Sequence, residues 1–194
     1  MAALPKPMDI DKFLVWEDGQ DLRHEFDGIA AKAMTGGTLA HGGIQARLLK
    51  QLGNHLDGKP CQPFGSDTRV RTQTGIRYPD VLVKCSPADP TATFVDDPVV
   101  IFEILSTGTA NMDLGAKKAE YQAMPSVRRY IVLQQTHRAA EVFFRMEDAD
   151  DGWGHEFLSA EDSLDMPEIG ISIPLADIYQ AVVLVGRKGV NFPA

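Results

Sequence analysis

The most constraining feature of this sequence is a short apolar run at residues 99–105, VVIFEIL, which a single glutamate interrupts. Such a run predicts a strand buried on both faces, as at the centre of a sheet that helices cover. An unpaired carboxylate in that position costs several kcal/mol through desolvation. Glu103 therefore needs a compensating partner, unless the strand lies at a sheet edge and Glu103 faces water.

The rest of the chain predicts a mixture of helices and strands. Asp9 can cap a helix over IDKFLVWED, and Asp27-Gly28 is typical of a hairpin turn between two short strands. Further helices are expected at residues 41–56 and 110–123, further strands at 66–72, 78–85, 130–135 and 141–146, a last strand and short helix within 171–180, and solvated acidic turns at 146–152 and 159–168. This order favours an α/β (α+β) fold, with a sheet flanked by helices.

Composition narrows the class of protein. The chain has 194 residues, of which 44% are hydrophobic, and a formal net charge of −8, as expected for one globular domain over residues 1–194. No apolar run is long enough to cross a bilayer and the start lacks a signal-peptide stretch, so we expect a cytoplasmic protein that does not engage membranes. The acidic balance disfavours non-specific coating of nucleic acid, but it allows a local cleft that grips nucleic acid.

The two cysteines carry little functional signal. Cys61 and Cys85 could pair by number, but neither belongs to a CxxC motif or has a histidine at metal-ligand spacing. We expect both to be buried free thiols.

Two acidic residues form the first candidate site. Asp80 follows Pro79 at a predicted strand start, where an aspartate alone usually forms a turn. If this strand pairs with the strand of Glu103, both carboxylates can point to the same end of the sheet. Two convergent carboxylates with open water positions suit Mg²⁺ or Mn²⁺.

Residues on the predicted helices and the first strands add to this site. Asp113, Lys117 and Tyr121 are spaced by four residues and share one helix face, where Lys117 is either a surface ion-pair partner or a group that orients an attacking water. His41 lies on the apolar face of its helix, which by default indicates a core histidine. Glu25, in a predicted strand, would by itself be expected to face solvent.

The combination of Pro79-Asp80 and Glu103 resembles the PD-(D/E)XK nuclease superfamily, except that Leu105 stands where the usual lysine is found. FEILS followed by Lys117 and Tyr121 resembles one branch, the Uma2 family of restriction endonucleases, in which the following helix supplies the lysine. The blocks HEFDG, MTGGTLAH, GKPC, SDTRVR, MPSVRRYIVLQQ and IGISIPLADIY are similar to that family in order and spacing, and together cover residues 8–183.

The resemblance implies a restriction-endonuclease-like mixed sheet and a catalytic set at Glu25, His41, Asp80, Glu103 and Lys117. The expected activity is Mg²⁺- or Mn²⁺-dependent hydrolysis of phosphodiester bonds in DNA. In this scheme Asp80 and Glu103 hold the metal, Lys117 activates water, and His41 is an added ligand, an orienting group or a proton-transfer group. A homodimer is expected because two sites cut two strands most simply.

Candidate nucleic-acid contacts complete the expectations. Arg69, Arg71 and Arg77 lie on strands leading into Asp80 and could meet phosphates, unless they form an ordinary solvated sheet face; Tyr121 is a further candidate contact. Two alternatives stay open: a nuclease-like module that binds nucleic acid or protein without cutting, and a hydrolase of smaller phosphoesters.

Overall fold

The computed structural model describes residues 8–105, 113–146 and 152–185, without the side chains of residues 113 and 114. The helices in these ranges are α1 (Ile10–Glu17), α2 (Leu39–Leu56), α3 (Lys118–Gln122) and α4 (Leu175–Ile178). A π-helical turn at Asp113–Lys117 leads directly into α3, and a 3-10 turn spans Pro167–Ile169. Side chains cap the two longer helices, because Asp9 accepts a hydrogen bond from the Lys12 N–H and Thr38 accepts one from the His41 N–H.

Twelve strands occur in the same ranges: β1 (His24–Phe26), β2 (Ala31–Ala33), β3 (Gln62–Gly65), β4 (Val70–Arg71), β5 (Ile76–Arg77), β6 (Val81–Lys84), β7 (Val100–Leu105), β8 (Arg129–Gln134), β9 (Ala140–Arg145), β10 (Trp153–Leu158), β11 (Ser163–Met166) and β12 (Ile171–Pro174). They form a six-stranded sheet in the order β10-β9-β8-β7-β6-β3, a four-stranded sheet in the order β2-β1-β5-β4, and the pair β11-β12. The larger sheet is mixed, since β7 and β8 are parallel and its other neighbours are antiparallel.

Strand β7 is the centre of the molecule, as its apolar run predicts. Val100, Phe102 and Ile104 join the main core that α2 covers, whereas Ile101 packs into a second core with Tyr121 of α3. Side chains alternate along a strand, so Glu103 points to the same side as Ile101, toward α3. The predicted fold class, a mixed sheet flanked by helices, is confirmed.

Most predicted elements are present, and the differences have physical reasons. Helix α1, the hairpin β1-β2, helix α2 and the hairpin β8-β9 lie where the patterns place them. The prediction of solvated turns at 159–168 is wrong for its second half, because β11 buries Leu164 and Met166 in alternation under an acidic composition. Strands β3, β5 and β10 were not predicted. Parts of two further predictions, residues 110–112 and 147–151, lie outside the described ranges.

The prediction of two free thiols is wrong. Cys61 and Cys85 form a disulfide. Strands β3 and β6 pair antiparallel with Gln62 opposite Lys84, and this register brings the two flanking cysteines face to face. Spacing along the chain could not reveal this pairing, because β3 itself was not recognised.

None of the helices in the described ranges combines the length and apolar character needed to cross a membrane.

Candidate active site

The pairing of β6 with β7 brings the two predicted acids together. Val81 lies opposite Phe102 in the antiparallel register, so the residues next along each strand, Asp80 and Glu103, are neighbours at the same end of the sheet. Asp80 is held firmly there: its Oδ2 accepts a hydrogen bond of 2.6 Å from the Ile104 N–H, and Gln45 Nε2 donates to its carbonyl oxygen at 2.8 Å. The predicted convergence of two carboxylates is therefore present.

Lys117 lies between two buried carboxylates. Its Nζ is 2.9 Å from Glu25 Oε1 and 3.1 Å from Glu103 Oε1, and all three residues are at most 6% exposed. Glu103 Oε1 also accepts a hydrogen bond of 3.2 Å from the Tyr121 hydroxyl. The strand glutamate thus has the compensating partners that its burial demands.

The helix face predicted for Lys117 and Tyr121 is the one that meets Glu103. The π-helical turn ends at Lys117 and α3 continues to Tyr121, so both side chains reach the same carboxylate. Burial and the charges of Glu103 and Glu25 raise the pKa of Tyr121 well above its usual value, so the phenol stays protonated and donates. The side chain of Asp113, the third member of the predicted stripe, lies outside the described residues.

His41 reaches the site from the first turn of α2. Its Nε2 lies 3.1 Å from the carboxylate of Asp80, within hydrogen-bond distance. The histidine is therefore an Asp80 partner, and not merely a core residue on the apolar side of α2.

One cavity of about 540 Å³ is lined by all five predicted catalytic residues, Glu25, His41, Asp80, Glu103 and Lys117. Its other wall is the segment from Lys32 to Thr38, and Gln45 and Tyr78 also line it. Glu25, which a lone strand position would leave in solvent, is buried here because β1 faces Lys117. Gln45, one helical turn after His41, was missed, although its spacing of four residues on α2 is a signal that could have found it.

Two of the three predicted phosphate-binding arginines do not present a surface. Arg69 is buried and bonds the Tyr78 hydroxyl, Glu17 and Asp18. The prediction of a phosphate surface is wrong for Arg69 because neighbouring groups already occupy its guanidinium.

Arg77 is buried in the same way, with Glu120 at 2.5 and 2.8 Å and Glu25 at 3.4 Å. Tyr121 is fully buried on the inner face of α3, so it too has no exposed surface that DNA could contact. Arg71 differs from both, since its side chain is 36% exposed and pairs with the exposed Asp11 at 3.1 Å. Of the four predicted contacts, Arg71 alone stays a prediction.

Comparison with known protein families shows which family the chain belongs to. A sequence model described as "putative restriction endonuclease", that of Uma2, matches residues 10–176. The chain belongs to the Uma2 family. Two uncharacterised Synechocystis proteins are similar to it: slr1290 is 32% identical over 93% of this chain and 95% of that protein, and sll1609 is 24% identical over 70% and 79%.

A solved structure shares the fold of this Uma2 protein. The crystal structure of a protein from Anabaena variabilis, titled as a putative nuclease belonging to DUF820, superposes with a TM-score of 0.74 over 91% of this chain and all of that one. The two sequences are only 13% identical. The family supports a nuclease-like function, and the solved structure shows the shared fold.

The donor set of the Uma2 site suits a hard divalent cation. Asp80 and Glu103 offer carboxylate oxygens at one cavity, and Mg²⁺ in proteins is commonly held by one or two carboxylates, with water and substrate phosphate completing its shell. Within the described ranges, no group of three or more His, Cys, Asp and Glu side chains is arranged to hold an ion. A cation held by Asp80 and Glu103 would complete its shell with water and substrate, as Mg²⁺ commonly does.

Proposed function

We propose that this Uma2 protein is a metal-dependent endonuclease that hydrolyses phosphodiester bonds in DNA. The observation that supports this function best is the buried Lys117, held between Glu25 and Glu103 next to Asp80 at a cavity. A structural ion pair would need only one carboxylate. A lysine beside two acids suits phosphodiester hydrolysis, because the acids can hold a metal ion while the lysine stabilises developing negative charge.

The two acids would hold the metal. Asp80 and Glu103 would bind Mg²⁺ or Mn²⁺, which, when bound, polarises the phosphate and lowers the pKa of a coordinated water. Tyr121 holds one oxygen of Glu103, and the Ile104 N–H holds one oxygen of Asp80, so both carboxylates keep a fixed orientation. His41 contacts Asp80 and is proposed to orient that carboxylate, rather than to serve as a third ligand.

Lys117 would act on the reacting groups. From its place at the cavity its ammonium would orient the attacking water and offset the negative charge that builds on the phosphate oxygens. Glu25, at 2.9 Å, directs the lysine toward that position. The protein thereby supplies orientation and electrostatic stabilisation, which are the main needs of phosphoryl-group chemistry.

The proposal extends to the substrate and the assembly. A net charge of −8 limits non-specific affinity, so DNA engagement is expected to be sensitive to salt, with Arg71 as the candidate phosphate contact. A homodimer would supply two sites for two strands.

The test is cleavage of supercoiled, linear and single-stranded DNA with Mg²⁺ or Mn²⁺. We expect the wild type to cut and chelation of the metal to stop it. Glu103→Gln and Asp80→Asn should each lose activity by about 10²-fold or more, because a neutral amide is a poor ligand for a hard cation.

A matched control is Glu168→Gln, which neutralises another part-buried carboxylate that accepts a hydrogen bond of 2.8 Å from Arg129, outside the cavity. It should cut as the wild type does. The proposal is wrong if the wild type cuts no DNA with either metal, or if both site variants cut as fast as this control. Binding of DNA without cutting would favour the non-catalytic module.

A further inference from the structure

The charges of the site continue beyond the cavity in a chain of alternating sign. Glu120 bonds Arg77 at 2.5 and 2.8 Å, Arg77 lies 3.4 Å from Glu25, Glu25 lies 2.9 Å from Lys117, and Lys117 lies 3.1 Å from Glu103. This series of charged residues starts with Glu120 on α3 and crosses the four-stranded sheet through Arg77 on β5 and Glu25 on β1. It then reaches Lys117 at the π-helical turn and ends with Glu103 on β7. It joins α3, β5, β1, the π-helical turn and β7.

Arg77 is the second member of this series of charged residues, and it cannot contact a substrate in the cavity. It is 3% exposed and does not line the cavity, whereas Glu25 and Lys117 both do. Burial alone would lower the pKa of Arg77, but hydrogen bonds to Glu120 and the charges of Glu120 and Glu25 raise it instead, so the guanidinium remains a cation. Glu25, which Arg77 contacts at 3.4 Å and which lines the cavity, links the guanidinium to the site.

The two carboxylate oxygens of Glu25 have different partners. Oε2 faces Arg77, while Oε1 faces Lys117 and also accepts a hydrogen bond of 3.3 Å from the Tyr78 N–H. A carboxylate held at both oxygens has one orientation, and this orientation fixes where the lysine ammonium can lie. Without the guanidinium, Oε2 loses its buried cation, and Glu25 can rotate and draw Lys117 away from Glu103.

We propose that Arg77 is a positioning residue for Lys117, acting through Glu25. This inference rests on the proposed endonuclease function and adds a residue that the sequence pattern had assigned to phosphate binding. Glu120 belongs to the same device, because it holds the far side of the guanidinium and sits three residues after Lys117 on the same helical segment. One helix thus supplies both the lysine and the carboxylate that anchors its support.

The experiment is a double-variant cycle on DNA cleavage with Arg77→Gln, Glu25→Gln and the pair. We expect Arg77→Gln to lower kcat by about 10-fold to 10²-fold with KM nearly unchanged, since it misplaces a group that acts in the transition state. The pair should fall little below Glu25→Gln alone, because Arg77 has nothing to position once Glu25 is neutral. Arg77→Lys, which keeps a cation, should recover part of kcat.

Arg129→Gln serves as the structural control, because Arg129 is also buried and also held by a glutamate, Glu168, at 2.8 Å. It should lower the unfolding temperature as Arg77→Gln does and leave kcat unchanged. The inference is overturned if Arg77→Gln raises KM rather than lowering kcat, if its effect multiplies fully with that of Glu25→Gln, or if Arg129→Gln lowers kcat equally.

A measurement without catalysis separates this inference from the proposed function. The ¹⁵Nζ resonance of Lys117, assigned by its loss in Lys117→Met, should shift in Arg77→Gln and Glu25→Gln but not in Arg129→Gln. If the wild type cuts no DNA and these shifts appear, the endonuclease proposal fails while the positioning link holds. If the Lys117 resonance does not shift in Arg77→Gln, the positioning role of Arg77 is wrong, whether or not the wild type cuts DNA.

Discussion

The two ends of the six-stranded sheet handle buried charge in opposite ways. At the site end, where Asp80 and Glu103 lie side by side, carboxylates converge on a cavity and Lys117 is shared between Glu25 and Glu103. At the closed end, where β8 begins, Arg129 is held by both oxygens of Glu168.

The closed end also carries other complete pairs, namely the Cys61–Cys85 disulfide and the contact of Lys84 with Asp97. Charge that only stabilises a fold is best arranged in closed pairs, because an unmatched buried charge costs free energy. At the site end, by contrast, Lys117 is shared by two carboxylates, and a local cost in stability is typical of functional sites. This contrast between the ends agrees with the proposed function, in which the polar groups of the site end carry out the reaction.

The largest expected difference between the two ends is in catalysis, when the buried cation of each end is replaced. Lys117→Met should lower DNA cleavage by about 10²-fold to 10⁴-fold, the usual range for a group acting directly on proton transfer or charge in the transition state. Arg129→Met, measured in the same assay after circular dichroism confirms folding, should leave the rate nearly unchanged. Equal losses from the two variants would remove the distinction between the ends.

The disulfide should give the next largest effect, on stability alone. Replacing both Cys61 and Cys85 by serine opens a crosslink that spans 24 residues and should lower the free energy of unfolding by about 3 kcal/mol. Urea titration measures the loss, and cleavage should be unaffected because the bond lies at the closed end. If a thiol reagent titrates two cysteines in the unreduced protein, this part of the comparison fails.

Neutral glutamine variants compare the cost of charge at each end. Glu168→Gln should lower the free energy of unfolding by roughly 1–3 kcal/mol, because it removes the nearer carboxylate of the buried Arg129 and leaves only the longer contact of 3.9 Å with Glu156. Glu103→Gln should change it by less than about 1 kcal/mol or raise it, because Glu25 and Asp80 remain as acids around Lys117. Thermal unfolding of both variants measures this difference. A larger loss of unfolding free energy in Glu103→Gln than in Glu168→Gln would contradict the comparison between the two ends.

The smallest effect concerns a closed network next to the site. Tyr78 donates to Glu17 at 2.7 Å and accepts from Arg69 at 2.6 Å, and burial with the Glu17 hydrogen bond raises the pKa of Tyr78 to about 12 from 10.0. The stability it contributes is complete below pH 10 and is lost as pH rises through 12, because the unfolded phenol ionises first.

Tyr78→Phe should therefore flatten the fall in unfolding free energy between pH 10 and pH 12. Urea unfolding at several pH values across that interval measures this pH dependence. Below pH 9, the difference in unfolding free energy between Tyr78→Phe and the wild type should be constant. Parallel curves throughout the alkaline range would show that Tyr78 does not keep its proton for this reason.

The sequence predicted the parts of the site that local patterns encode. Glu103 stands out because an acid interrupts an apolar strand, and Asp80 follows from the strand before it. Lys117 and Tyr121 follow from helical spacing, and the structure brings both to Glu103. Glu25 came from the family resemblance alone, because a short strand does not reveal which face is covered.

The errors at the arginines and the cysteines share one physical cause, which is that exposure and pairing depend on contacts distant in sequence. Arg69 and Arg77 have carboxylate partners 51 to 52 residues away along the chain, so their strands alone suggested a solvated or phosphate-binding face. Cys61 and Cys85 meet through the register of β3, a strand without a clear apolar pattern. In β11 the alternation of Leu164 and Met166 was present, but surrounding acids concealed it.

The lysine that faces Glu103 has a consequence for how ligands and motion are linked. Lys117 contacts β1 of the four-stranded sheet through Glu25 and β7 of the six-stranded sheet through Glu103, so it ties the two sheets together. Whatever competes for Glu103 also weakens that tie. By thermodynamic reciprocity, occupancy of the cavity and the freedom of one sheet relative to the other are coupled quantities, and each can be measured through the other.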